Sequence, residues 1–261
     1  FYSFDYYDAV FCSGPGQAES LRRLEELRGT SHKDLPLLGC PYLDVYAARA
    51  EQVGVPEPRT ILVAPTWGRN GLLTRTGSLV PKLLASAGYH VILRPHPQSF
   101  ISDREVMERV AADLQTCKNV EWDRNPDGFS SLSRASLMVS DVSGVIFDFA
   151  FVFLRPVISV GNGPLKEGFE AWEIPHEAWE MKALDQIGRR VPAGNESGIP
   201  AVVEEMLGDL TTQTEVIRRV RDENVVNFGH AGGPIADALV VAAQAHSVQL
   251  QSSLPSSVEA A

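Results

Sequence analysis

Val139-Ser-Asp-Val-Ser-Gly-Val-Ile-Phe-Asp-Phe-Ala-Phe-Val-Phe-Leu-Arg-Pro-Val-Ile-Ser-Val160 is the stretch on which the fold turns. Ala135 to Val139 is a short apolar run with the character of a buried strand. It stops at a polar knot of Ser140, Asp141, Ser143 and Gly144. Ile146, Phe147, Ala150 and Phe151 then recur on one helical face. Pro156 ends that helix, and Val157 to Val160 is a second apolar run. Strand, polar turn, helix and strand together have the length of one βαβ unit. In a parallel sheet such a turn lies at the carboxyl end, where α/β proteins bind ligands. The free N–H groups and positive dipole end of the following helix favour an anion there, and Ser140 and Ser143 add hydroxyl donors. Ser and Asp before a helix are also ordinary N-caps. On this segment alone capping is the better reading.

The same alternation runs upstream. Thr60 to Ala64 reads as a buried strand, Leu79 to Ala87 as a helix and Tyr89 to Leu93 as the next strand. Val106 to Leu114 follows as a helix, Asn119 to Trp122 as a short strand and Phe129 to Leu132 as a short helix. This order predicts an α/β, Rossmann-like, doubly wound parallel sheet. Three strands end in notable loops: Thr66 to Arg69, Arg94 to Pro97, and Ser140 to Gly144. In such a sheet all three loops share one edge. That inference gathers Thr66, Arg69, Arg94, His96, Ser140, Asp141 and Ser143 at one place.

Two arginines, a histidine, a threonine, two serines and a helix N-terminus suit a pyrophosphate, because fixed donors meet the charge that collects on a leaving phosphate. His96 stands between Pro95 and Pro97, which hold its backbone extended. Asp148, further along the helix, would be repelled by phosphate, so a ribose hydroxyl or base edge suits it better. Each residue alone has a plainer reading. Arg94 fits a solvated strand end, His96 a structural histidine, Asp148 an ion pair, and Trp67 simple packing. Their shared sheet edge favours a ligand site. Among the other histidines, His230 is a lesser candidate for a phosphate contact. Gly14-Pro-Gly16 and Gly232-Gly233 match neither a dinucleotide fingerprint nor a P-loop.

The chain outside the sheet is less regular. Tyr7 to Cys12 reads as a short strand, Glu19 to Leu27 as an amphipathic helix closed by Gly29, and Leu43 to Val53 as a helix. Residues 1–55 are expected to be the end of a preceding domain or a connecting segment. Residues 56–246 are expected to form the nucleotide-binding domain, and 247–261 a polar, disordered tail. Gly161 to Leu184 is long, irregular and aromatic, and fits a lid or a connector. Phe1 to Tyr7 is aromatic-rich and lacks an initiator Met, so the chain reads as a piece of a longer protein.

The 261 residues carry a formal net charge of −10, which excludes nucleic-acid binding by overall charge. A local basic pocket stays compatible with that balance. The three cysteines (12, 40 and 117) form no CxxC or Cys/His cluster, so they fit reduced thiols rather than disulfides or zinc. No metal site and no cofactor are expected. No apolar run reaches transmembrane length.

Phe4-Asp5 with Tyr7-Asp8, Gly39-Cys-Pro-Tyr-Leu-Asp44, Ile61-Leu-Val-Ala-Pro-Thr-Trp67, Leu93-Arg-Pro-His-Pro97 and Ser140-Asp-Val-Ser-Gly-Val-Ile-Phe-Asp148 occur in this order. Together they resemble the CDP-glycerol glycerophosphotransferases, the primases and polymerases of wall teichoic acid, over roughly Phe4 to Val160. The resemblance implies a GT-B fold, of which this chain is the C-terminal, nucleotide-binding half. It implies transfer of glycerol phosphate, or a related polyol phosphate, from a CDP-linked donor to a lipid-linked polyol-phosphate or capsule-like chain. It further implies work at the cytoplasmic face of the plasma membrane, with peripheral membrane contact through regions outside this chain. By motif, His96 would contact the donor phosphates and stabilise departing CMP. Thr66, Ser140 and Ser143 would hold the pyrophosphate, and Asp148 would lie near the nucleotide.

Two departures stand out. The family's serine pair is Ser143-Gly144 here, so one hydroxyl is missing. The family's Trp-His-Gly motif, whose His is the general base, does not occur in this chain. Either it lies in a portion outside this sequence, leaving a fragment that binds nucleotide and transfers little, or the protein lacks it. Two other readings remain beside this one: a GT-B nucleotide-sugar glycosyltransferase or epimerase, and a non-catalytic nucleotide-binding module.

Overall fold

The computed structural model describes residues 2–161, 163, 171–175 and 177–253. Two helices precede the sheet, α1 (Pro15–Arg28) and α2 (Pro41–Ala50). Strand β1 (Thr60–Val63) is followed by α3 (Leu72–Thr76) and α4 (Leu79–Ser86), and β2 (His90–Leu93) by α5 (Ser99–Ser102) and α6 (Arg104–Leu114). Strand β3 (Val120–Trp122) leads to α7 (Phe129–Arg134), β4 (Leu137–Ser140) to α8 (Val145–Phe153), and β5 (Val157–Val160) to α9 (Trp179–Ile187). Strand β6 (Gly188–Val191) comes next, then α10 (Ile199–Leu207), α11 (Leu210–Asn224) and α12 (Gly232–Ser253).

The strands form one parallel sheet in the order β3-β2-β1-β4-β5-β6. Every residue of β1, β4 and β5 is buried, because helices cover both faces and a strand covered twice is apolar throughout. The period of two sorts these side chains into two cores. Leu62, Ile92, Met138 and Val157 pack on one face with α2, α7, α8, α9 and α11. Ile61, Val63, Val91, Leu93, Leu137, Val139 and Ile158 pack on the other with α3, α4, α6 and α10. The expected Rossmann-like sheet is therefore the observed one. The chain leaves β1 toward β2 and returns to β1's other side as β4. The topological switch point lies between those two strands, and a crevice opens at their carboxyl ends.

Strand β6 was not expected from the sequence. Its residues, Gly-Arg-Arg-Val, are polar because it is an edge strand. Tyr7 to Cys12 forms parallel bridges at Ala9–Asp34 and Cys12–Leu37 rather than a full strand. With α1 this segment builds a small core of its own around Cys12, Leu21, Leu24 and Ile174. Helix α12 extends to Ser253, into the segment expected to be a disordered tail; 254–261 lie outside the described residues. Part of the expected lid or connector falls outside them too, at 162, 164–170 and 176. Its described part includes Ile174, which packs into the small core beside α1, and ends in the first part of α9. Among the described residues no helix is long and apolar enough to cross a membrane.

Candidate functional site

The carboxyl ends of β1 and β4 are locked together by the last residues of β4. Ala64 N–H donates to the Val139 carbonyl at 3.0 Å. The Ser140 hydroxyl donates back to the Ala64 carbonyl at 2.6 Å and is fully buried. Asp141 is also buried, and its two oxygens accept the N–H groups of Thr66 and Leu72 at 2.7 and 2.6 Å. Burial pushes the Asp141 carboxyl above the ordinary aspartate range, and the Thr66 and Leu72 N–H groups oppose that rise. These two residues shape the crevice from behind rather than lining it with free donors, which differs from the donor-binding role expected of Ser140 and Asp141.

The β1 loop that they hold, Thr66 to Gly71, carries the exposed surface. Its Gly68 adopts φ +88°, a left-handed conformation open to glycine. Its Gly71 has no room for a side chain, since a Cβ would stand 2.7 Å from the Thr66 carbonyl. Trp67 is half exposed, and Arg69 is exposed with no hydrogen bond or ion pair among the described residues. The indole of Trp67 and the imidazole of His96 lie 6.3 Å apart, tilted by 32°. Gln98 N–H donates to His96 Nδ1 at 3.1 Å. A neutral His96 must then carry its proton on Nε2, which becomes the outward donor.

Helix α8 starts without a side-chain cap. Neither Ser140, Asp141 nor Ser143 takes the capping role that the turn by itself made the better reading. The hydroxyl of Ser143 has no partner among the described residues. The Ile146 and Phe147 N–H groups turn back onto the Ser143 and Gly144 carbonyls at 3.2 and 3.0 Å, so the helix end favours an anion through its dipole more than through free amides. Asp148 is half buried in the first turn of α8. Desolvation raises its carboxyl to about 6, with no hydrogen bond to offset it. Its charge reaches Tyr42 on α2.

Arg94 is placed elsewhere. Its Nη1 pairs with Asp123 at 2.6 Å and donates to the Asn125 carbonyl at 2.7 Å. The guanidinium lies over Gly128, where a Cβ would meet its Nε at 2.9 Å. Despite desolvation, Ser131, the Asn125 N–H and Arg94 hold Asp123 below the usual range. Arg94 therefore braces the loop after β3. Arg75, which the sequence reading passed over, does reach the edge: it donates to the Asn70 and Val160 carbonyls at 2.9 and 2.8 Å. Nothing in its local sequence signals this, because the contact is set by the β4–β5 pairing. The crevice thus gathers Thr66, Arg69, His96, Ser143 and the α8 N-terminus, with Ser140 and Asp141 behind them.

Among the described residues no three His, Cys, Asp or Glu side chains converge as a metal site. A cavity of about 570 Å³ lies away from the crevice, at the amino edge of the sheet, between Val55, Ser136, Arg155 and Thr214. Arg155 is spoken for there. Its Nη1 donates to the Ser133 and Ala135 carbonyls, both at 2.6 Å, and so caps the end of α7.

No protein-family model matches the chain, and no curated protein matches it. Solved structures do. A histidine variant of the wall teichoic acid polymerase TagF superposes with a TM-score of 0.58 at 18% identity, covering 92% of this chain and 59% of that one. The chain shares its fold with TagF. A second TagF structure gives 0.55 at 16% identity, with 95% and 59% covered. A TagF variant soaked with CDPG gives 0.56 at 17%. A UDP-GlcNAc 2-epimerase from Neisseria meningitidis, bound to UDP-GlcNAc, gives 0.55 at 13% identity, with 89% and 61% covered. The chain spans about three fifths of each of these structures, and at such identities the likeness is one of fold.

Proposed function

We propose that the crevice binds the diphosphate of a CDP-linked polyol, and that the protein transfers the polyol phosphate to a hydroxyl of a polyol-phosphate acceptor. One observation carries this reading. Ser140 and Asp141 tie the end of β4 to the β1 loop at the switch point where the uncapped α8 begins, and His96 follows β2, the neighbour of β1 on the same sheet edge. The ordered motifs from Phe4 to Asp148 and the TagF fold support the cytidylyl donor.

In this reaction an acceptor oxygen bonds to the β-phosphorus of the donor. The bond from that phosphorus to the bridging oxygen breaks, and CMP leaves with the electron pair. Charge grows on the departing phosphate. The N-terminal end of α8, the hydroxyls of Thr66 and Ser143 and His96 Nε2–H are the groups that would stabilise it. Such donors act without reorganising, which is why a locked loop matters more than an additional charge. The proton of the attacking hydroxyl needs a base, and the chain carries no Trp-His-Gly motif to supply it. The crevice would therefore bind donor, and transfer would depend on a base supplied from outside this sequence; without one the protein would bind donor and transfer little.

Calorimetric titration with CDP-glycerol, CDP, UDP and GDP tests the reading. Tightest binding of the cytidine compounds, weakened about tenfold or more in His96→Ala, is expected for loss of a charge-assisted contact. Equal binding by the His96→Ala variant would remove His96 from the site. Preference for UDP would favour the second reading, a nucleotide-sugar enzyme, which the equally similar fold of the UDP-GlcNAc 2-epimerase keeps in view.

A further inference from the structure

The segment from Thr66 to Leu72 is clamped by its backbone from two separate elements. Asp141, at the end of β4, holds the N–H groups of Thr66 and Leu72. Asp103, between α5 and α6, accepts the Gly68 N–H at 2.7 Å. Gly71 N–H closes onto the Gly68 carbonyl at 2.9 Å. None of these bonds uses the side chains that the loop displays. Trp67 is 47% exposed, and Arg69 has no partner among the described residues. An indole held half in water adds little to a core. Covering it with a ligand gains apolar contact while ordering little that is not already ordered.

A donor diphosphate is matched by the α8 N-terminal end and His96, and the diphosphate itself offers an indole no apolar face. A polyol phosphate does, because each repeat pairs a C–H edge with one negative charge. Trp67 and Arg69, two positions apart on one rigid loop, offer an aromatic face and a cation for one such repeat. Trp67 also stands 6.3 Å from the His96 ring, on the edge where the acceptor must meet the donor.

We infer that Trp67 and Arg69 form an acceptor subsite for a phosphorylated polyol, with Asp103 and Asp141 as positioning residues that hold the loop. The inference rests on the donor reading of the crevice. The indole packs on the C–H edge of the incoming chain, and the guanidinium pairs with its phosphate.

A synthetic oligo(glycerol phosphate) is the probe, titrated by calorimetry into the 261-residue chain, with inorganic phosphate and glycerol as controls. The fluorescence difference between the wild type and Trp67→Phe isolates the signal of this indole. The oligomer is expected to bind and to change that signal, with both controls much weaker. Trp67→Ala and Arg69→Gln should each weaken it by about fivefold, the scale of one aromatic or ionic contact. CDP-glycerol affinity should change far less in Trp67→Ala; an equal loss would seat the donor's cytosine on the indole and overturn the subsite. Asp103→Ala should lower the anisotropy of the Trp67 signal and weaken the oligomer, which a purely structural aspartate would not do selectively. Oligomer binding unchanged in Trp67→Ala and Arg69→Gln would overturn the subsite. Failure of the oligomer to bind while CDP-glycerol binds would overturn the subsite and leave the donor reading standing. Failure of both ligands would reject the two together.

Discussion

The carboxylate of Asp141 reaches across the switch point to the backbone of Thr66, its Oδ1 accepting the Thr66 N–H at 2.7 Å while Oδ2 takes the Leu72 N–H. A carboxylate has two acceptors and no donor, which suits two inward-pointing amides. In Asp141→Asn the side-chain amide keeps one acceptor and turns an NH2 group toward the other N–H. A buried donor left without an acceptor costs about 1–3 kcal/mol. Denaturant unfolding should show a loss of that size for Asp141→Asn, and a larger one for Asp141→Ala. Equal stability of the wild type and Asp141→Asn would mean that the loop does not depend on this clamp.

At the other end of the sheet Arg134 joins Glu57 and Glu121, and Glu121 also meets His90 Nε2 at 3.0 Å. Arg134, and then His90, hold the Glu121 carboxyl down to about 2, against desolvation. A depressed carboxyl stabilises the fold above its ordinary pKa of 4.5 and loses that contribution as pH falls toward 2. The side chain of Glu121 is 39% exposed, so water screens the pair. Arg134→Met is therefore expected to cost about 1 kcal/mol at pH 7. The gap between variant and wild type should shrink steadily below pH 4.5. A gap that stays constant to pH 2.5 would assign the loss to packing of the arginine stem.

The sheet was legible in the sequence wherever strands are buried on both faces. Thr60–Val63, Leu137–Ser140 and Val157–Val160 are apolar except for Thr60, Ser140 and Ser159, because both sides are covered. Edge strand β6 escaped notice for the opposite reason. Arg189 faces outward to Glu205, and no apolar run marks the strand. At the site, the loops were placed on the right edge, while the commitments of single side chains were not. Ser140 shares a strand face with Met138, so the period of two already turns it inward. Arg94 follows Leu93, and Leu93 is in register with Trp122, so Arg94 falls opposite Asp123. That pairing is visible once β2 and β3 are known to be neighbours, and a reading of separate loops does not contain it.

Gly188 opens β6 against β5, and a Cβ there would stand 1.9 Å from the Val157 carbonyl. Its backbone is fully extended, with φ −173°, so the demand is for space and not for conformation. Gly188→Ala must push the edge strand away from β5. Overpacking of this kind costs about 1–3 kcal/mol or more. Hydrogen exchange should show faster exchange in β6, with β1 and β4 protected as before. Unchanged protection at Arg189 to Val191 would mean that the edge accommodates the methyl group by a shift elsewhere.

Asp148 offers a test that needs no ligand. Burial without a hydrogen-bonding partner lifts its carboxyl from 3.8 to about 6. The folded chain then holds this proton more tightly than the unfolded chain does. Between about pH 4 and 6 the unfolded state has released the proton while the folded state keeps it, so stability falls as pH rises through that window. Above it the full cost of the buried charge remains, about 3 kcal/mol at most. Asp148→Asn removes the charge and keeps the shape. It should match the wild type near pH 4 and become the more stable protein by pH 7, as read from unfolding midpoints across that range. Equal midpoints at every pH would mean that water reaches the carboxyl freely. Were a bound nucleotide to donate a hydroxyl to the Asp148 carboxylate, its excess pKa would fall, and the stability gap between wild type and Asp148→Asn would narrow in the presence of CDP-glycerol.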